Sequence, residues 1–145
     1  MTEKMEISPA EWQVMRIAWT LQKVTSAQVI EILQRKMDWK PATVKTLLRR
    51  LVQKKALSTT KQGRYFIYQP LVEEQMTMNM AADDLFSSIC EMHVGSTLCH
   101  VIQESQLSKD DIHKLQQILI KKAQTAPDAV ECNCVPGMAM HCDPE

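Results

Sequence analysis

The chain has 145 residues, of which 45% are hydrophobic and 5% aromatic: enough for one domain, or a small domain with an appendage, around an aliphatic core. Three glycines exclude a glycine-rich phosphate loop, no run nears the roughly 18 apolar residues of a membrane span, and the opening MTEKMEISPAEW lacks a signal peptide's basic-then-apolar order. The formal net charge of zero hides an asymmetry, with thirteen Lys/Arg against five Asp/Glu in residues 1–70 and four against twelve thereafter. A soluble cytoplasmic protein is expected, and its basic half is the footprint of a polyanion, because Lys and Arg displace the counterions condensed on phosphates.

The first helix opens with Ser8 as cap, Pro9 at the first helical position and Glu11 three residues after the serine, the pattern of a capping box. Trp12, Met15 and Trp19 then recur at helical spacing, with Ile17 and Ala18 widening the stripe, until about Leu21. A second helix is expected from a cap at Ser26, burying Val29, Ile30, Leu33 and Met37. Pro41 starts a third, in which Val44, Leu47, Leu48 and Leu51 cluster on one side. From Leu57 the pattern turns to extended runs, Leu57–Thr60 and Arg64–Gln69, around Lys61-Gln62-Gly63, and Pro70 closes them. Three short helices and a basic-tipped hairpin, in that order, make a winged helix-turn-helix.

Residues 72–125 return to helix and are expected to be a dimerisation region. Met78, Ala82, Leu85 and Ile89 form a seam, Gly95 is expected to break it, and a short helix with Leu98, Val101 and Ile102 is expected to follow. Ser108 caps the last helix, with Asp111 three residues on and a stripe through Ile112, Leu115, Ile118 and Leu119. These helices carry more apolar surface than one chain can bury, and a homodimer is the simplest outlet. Residues 126–145 have prolines at 127, 136 and 144 and no apolar period, so they read as a flexible tail. The fold expected is thus mainly α with a minor β part: a winged-helix domain over 1–71, helices over 72–125 and a cysteine-rich tail.

Two constellations carry chemistry. On the third helix Ala42, Thr46, Arg49 and Gln53 lie opposite the apolar stripe, flanked by Thr43, Lys45 and Arg50. A helix laid in the major groove reads base edges from its N-terminal turns, so Thr43 and Thr46 suit bases and Lys45 or Arg49 guanine or phosphate. Lys61 and Arg64 on the hairpin would meet the flanking phosphates or the minor groove. The second constellation is Cys132-Asn-Cys134-Val-Pro-Gly-Met-Ala-Met-His141-Cys142. Cys-x-Cys presents two thiolates from one extended stretch, and Pro136-Gly137 can turn the chain so that His141, Cys142, Met138 and Met140 return. Thiolate and thioether suit Cu(I), whereas three thiolates and an imidazole suit tetrahedral Zn(II). In a reducing cytoplasm a structural disulfide is the weaker use of these cysteines. Cys90 and Cys99, in apolar helical context, are expected to pack as small hydrophobes, with a second metal site involving His93 or His100 left open.

The segments Ala10-Glu-Trp-Gln-Val-Met15, Trp39-Lys-Pro-Ala-Thr-Val-Lys-Thr-Leu-Leu-Arg-Arg-Leu51 and Gly63-Arg-Tyr-Phe-Ile-Tyr68 resemble the BlaI/MecI/CopY repressors. The likeness is close over the first 70 residues and looser beyond. The cysteine tail points to the copper-responsive branch of that family. The resemblance implies a dimer that holds a palindromic operator of a copper-export operon in its Zn(II) form and releases it when Cu(I) displaces the zinc. The family's hook is two Cys-x-Cys pairs four residues apart. Cys132 and Cys134 match the first, but Ala139 and His141 occupy the second, with Cys142 beside them. A copper chaperone delivering Cu(I) is a further partner such a sensor would accept.

Two rivals share some of these features. A repressor of the same fold inactivated by proteolysis of its dimerisation region has no use for clustered thiols. A copper-buffering or delivery protein has no use for a reading helix and wing. An enzyme is not expected, since no nucleophile or His/carboxylate arrangement stands out.

Overall fold

A computed structural model describes residues 5–137, and its elements follow the chain in the order α1 (Pro9–Leu21), β1 (Val24–Thr25), α2 (Ser26–Met37), α3 (Pro41–Gln53), β2 (Leu57–Gln62), β3 (Tyr65–Pro70), α4 (Glu74–Ser87), α5 (Val94–Glu104) and α6 (Lys109–Ala123), with one 3-10 turn at Glu91–His93. The chain divides into two compact units, residues 1–82 and 83–145.

In the first unit, α1 starts as its sequence dictates: the Ser8 hydroxyl accepts from Glu11 N at 3.2 Å and Glu11 Oε1 accepts from Ser8 N at 3.1 Å. At α2 the cap is Thr25, one residue before the expected Ser26, because Gln28 lies three residues after Thr25 and returns the reciprocal bond to its N–H at 2.9 Å. Asp38 ends α2 in the left-handed region, φ 56°, and Pro41 opens α3 after a three-residue turn. That spacing is a helix-turn-helix. Its core is aliphatic: Val14, Met15 and Ala18 of α1, Val29 and Leu33 of α2, and Val44, Leu48 and Leu51 of α3 are all buried, with Leu57 closing one end.

The hairpin pairs β2 with β3 antiparallel, Lys61 opposite Phe66 and Gln62 opposite Tyr65, around the two residues Gly63 and Arg64. Only Gly63 has positive φ (61°), the pattern of a II′ turn, which needs a residue without Cβ at that position. Sequence periodicity missed β1, whose Val24 and Thr25 pair with Tyr68 and Ile67 and complete a sheet of order β1-β3-β2. Past the hairpin the chain is pinned twice: Leu71 N donates to Ala56 O, and Trp19 Nε1 donates to Val72 O, each at 2.9 Å. The first unit is a winged helix-turn-helix in a mainly helical chain, as the element order implied.

Helices α4, α5 and α6 bury no residue completely. Met76, Leu85, Leu98, Ile112, Ile118, Leu119 and Ile120 are exposed, Leu85 by 62%. Two expectations need correction. Gly95 does not break the helical pattern; it sits in the first turn of α5, where the N–H groups lack intrahelical partners in any sequence. Ile89 falls after α4 has ended and does not extend its seam. The last helix begins as expected, with a reciprocal Ser108/Asp111 capping box. Residues 126–137 contain neither helix nor strand. Among the described residues no helix is long and apolar enough to cross a membrane.

Candidate nucleic-acid interface and thiol cluster

Burying Val44, Leu47, Leu48 and Leu51 forces the opposite side of α3 outward. Ala42, Thr43, Lys45, Arg49 and Arg50 are all exposed there, and Thr46 is half-buried. Thr46 Oγ1 donates to Ala42 O at 3.0 Å. Its hydroxyl hydrogen is therefore engaged within the helix, leaving a methyl and acceptor lone pairs to offer a base. Lys61, on β2, and Arg64, in the turn, are exposed, and Lys61 Nζ lies 6.0 Å from the centroid of the Phe66 ring. An open cleft of about 220 Å³ runs between the C-terminal half of α3 and the hairpin, lined by Arg49, Val52, Gln53, Thr59, Phe66 and Tyr68. Helix and hairpin thus border one cleft, with Arg49 on its wall and Lys45, Arg50, Lys61 and Arg64 exposed on the same two elements.

One of the thirteen basic residues of the first half is engaged within the fold. Lys54, just past α3, donates through Nζ to Glu11 Oε1 at 2.7 Å and to Glu6 O at 2.6 Å. Glu11 is 2% exposed. Burial alone would push its carboxyl up, but the hydrogen bond from Lys54, those from Ser8 and the Lys54 charge together outweigh burial and hold the pKa below the ordinary 4.5. The pair ties the start of α1 to the end of α3 and so fixes the tilt of the helix that carries the basic stripe. Nothing in the helical period singled out Lys54. The signal was that Glu11 is the capping-box acid, hence held inward.

In the second unit the thiols gather. The Sγ atoms of Cys90, Cys132 and Cys134 all lie within 4.8 Å of one another. Cys90, half-buried, occupies the turn after α4 with extended backbone (φ −61°, ψ 128°). Cys132 is half-buried and Cys134 exposed, and Cys134 N donates to Cys132 Sγ at 3.4 Å. Between them Asn133 Oδ1 accepts from Glu91 N, next to Cys90, at 3.0 Å. The expectation that Cys90 and Cys99 pack as small hydrophobes does not hold: Cys99 is exposed on α5 and Cys90 faces the tail. Their helical setting misled because the partners of Cys90 lie more than forty residues away in sequence. His141 and Cys142 lie outside the described residues, as do Met138 and Met140. The three sulfurs fit a soft metal ion: thiolate bonds of about 2.3 Å to one shared ion put sulfurs roughly 4 Å apart.

The sequence profile of the family described as penicillinase repressor matches residues 7–121. An uncharacterized 16.5 kDa protein from the ptsI 3′ region of Latilactobacillus sakei is 47% identical over 131 residues, 90% of each chain. The methicillin resistance regulatory protein MecI of Mammaliicoccus sciuri is 33% identical over 117 residues, covering 81% of this chain and 95% of its own length. Among solved structures, a CopR repressor has 46% sequence identity and a TM-score of 0.41, the match covering 47% of this chain and 99% of that one. With that profile spanning most of its length, the chain belongs to the penicillinase repressor family, whose members are transcriptional repressors and not enzymes.

Proposed function

We propose that the chain is a copper-responsive repressor that binds a two-fold symmetric operator as a homodimer. The basic face of α3 enters the major groove, with Thr43 and Thr46 toward base edges and Lys45, Arg49 and Arg50 toward guanine or phosphate. Lys61 and Arg64 of the hairpin meet the flanking backbone. The dimer is held by α4–α6, many of whose apolar side chains stand exposed in the single chain. Zn(II) on Cys132, Cys134, His141 and Cys142 accompanies the DNA-bound form, and Cu(I), delivered by a chaperone or taken free, takes the thiolates and lowers operator affinity. The observation that carries this reading is the thiol cluster itself, standing in the same chain as an exposed basic reading helix. A hundredfold loss of operator affinity needs a coupling of only about 2.7 kcal/mol.

Mobility shifts on the cell's own copper-export promoter test the reading. Binding is expected to prefer the palindrome over random duplex and to be released by Cu(I). The double variant Cys132→Ser/Cys134→Ser should keep its reading helix and bind the operator as metal-free wild type does, yet resist release. Release of that variant at the same Cu(I) concentration refutes the tail as the sensor and makes the Cys90/Cys99 region the next candidate. Failure of Cu(I) to release the wild type refutes the copper reading; family membership would stand, with proteolytic inactivation as the rival mechanism.

A further inference from the structure

Most of the tail's expected donors lie close together in sequence, but the structure adds one from elsewhere. We propose that Cys90 is a ligand of the tail metal site, so that a soft d10 cation, Cu(I) above all, is held by Cys90, Cys132 and Cys134 together. The inference rests on the tail-sensor reading and deepens it.

Three observations carry it. The sulfurs of the three residues already lie within 4.8 Å of one another. The approach is also held by a contact without sulfur, since Asn133, the residue between the two tail cysteines, accepts from the N–H of Glu91 at 3.0 Å. That hydrogen bond sets the Cys-x-Cys segment beside the turn that carries Cys90. Finally, the backbone N–H of Cys134 donates to Cys132 Sγ at 3.4 Å, a contact that orders the Cys-x-Cys segment at the cluster. Cys90 thus adds a third sulfur beside those of Cys132 and Cys134.

Thiolates select Cu(I), which is satisfied by two or three sulfurs, so the set needs no imidazole. Binding releases the thiol protons and leaves the metal joined to three sulfurs, with no change of oxidation state. The topology gives the ion leverage. It closes a loop from residue 90 to residue 132 that contains both α5 and α6, and so restricts that segment as a cross-link does. Metal occupancy is thereby tied to the conformation of the helices rather than confined to the tail.

The test titrates full-length protein anaerobically with Cu(I) against a chromogenic Cu(I) chelator and records sulfur-to-copper charge transfer and the X-ray absorption coordination number. Cys90→Ser, Cys142→Ser, Cys132→Ser/Cys134→Ser and, as control, Cys99→Ser are compared, with circular dichroism and metal-free operator affinity confirming that each remains folded. Wild type, C99S and C142S are expected to show three sulfurs per copper. C90S should lose one sulfur and bind Cu(I) at least about tenfold more weakly, with metal-free operator binding intact. A C90S protein with an unchanged three-sulfur shell, or loss of a sulfur in C142S and not in C90S, overturns the role of Cys90 while leaving the tail reading in place. Undiminished Cu(I) binding by C132S/C134S overturns both.

Discussion

Replacing Lys54 by methionine should destabilise the winged-helix unit more than neutralising its partner does. In the wild type Glu11 Oε1 accepts from Ser8 N and Lys54 Nζ, while Glu11 Oε2 is buried without a partner among the described residues. Lys54→Met therefore leaves a carboxylate, 2% exposed, with the capping bonds alone, close to the uncompensated buried charge that costs about 3–5 kcal/mol. Glu11→Gln keeps an oxygen for both donors, and the lysine left behind is 35% exposed and reaches water, so about 1 kcal/mol is expected. At roughly 4–8 °C per kcal/mol for a unit of this size, K54M should melt some 12 °C or more below wild type and E11Q about 5 °C below. Trp12, Trp19 and Trp39 all lie in this unit, so intrinsic fluorescence reads its unfolding selectively. The pH dependence has a definite sign. Because the folded pKa of Glu11 is lowered, its contribution is complete above about pH 4.5 and lost as pH falls through the lower folded value. In K54M the carboxyl loses its cation while burial still pushes it up, so the deficit relative to wild type should shrink on acidification. If E11Q proves as destabilising as K54M, or the K54M deficit grows in acid, the account of this pair is wrong.

Arg49→Ala and Arg64→Ala should each weaken operator binding and flatten its salt dependence by about one unit of log–log slope per phosphate contact removed, measured by fluorescence anisotropy from 50 to 200 mM salt. K54M should leave that slope unchanged, since the wild-type Lys54 ammonium is engaged by Glu11 and the Glu6 carbonyl; a flatter slope would place Lys54 on the DNA. Gly63→Val should cost about 1 kcal/mol or more through its positive φ alone, since a Cβ there meets nothing within 4 Å, and should lower operator affinity while α1–α3 stay folded by circular dichroism. Sedimentation of the full chain at micromolar concentration should give a dimer, and a fragment of residues 1–82, which keeps the Trp19–Val72 bond, a folded monomer with poor operator affinity. A monomeric full chain would remove α4–α6 as the dimer interface.

Local chemistry made much of the winged-helix unit readable. Ser8 with Glu11, Pro41, and Gly63 between aromatic and β-branched runs each act within a few residues, and the structure has α1, α3 and the hairpin where those signals put them. The cap of α2 was readable as well, had Gln28 been weighed against Thr25 and not only the proximity of Ser26. Strand β1 was not: two residues cannot show an alternation, and Val24–Thr25 is extended only because Ile67 and Tyr68 offer a ladder. Of the candidate interface, the outward face of α3 followed from its period, whereas Lys54 looked like one more surface cation until α1 was folded against it. The thiol cluster was half visible. Cys132 and Cys134 stand out by spacing, but no periodic rule relates residue 90 to residue 132, and only the path of the chain brings them together.

If a second copy covers the exposed apolar side chains of α4–α6, as proposed, a consequence for abundance follows. A segment whose burial is completed by a second copy has a stability set by concentration, each tenfold dilution removing about 1.4 kcal/mol per dimer. In a cell holding few copies, unpaired chains present open helices to proteases while paired ones do not. Clearance then falls first on the unpaired pool, so the active repressor rises more steeply than its rate of synthesis. Dilution at cell division, with no signal at all, takes out more of the paired form than its share.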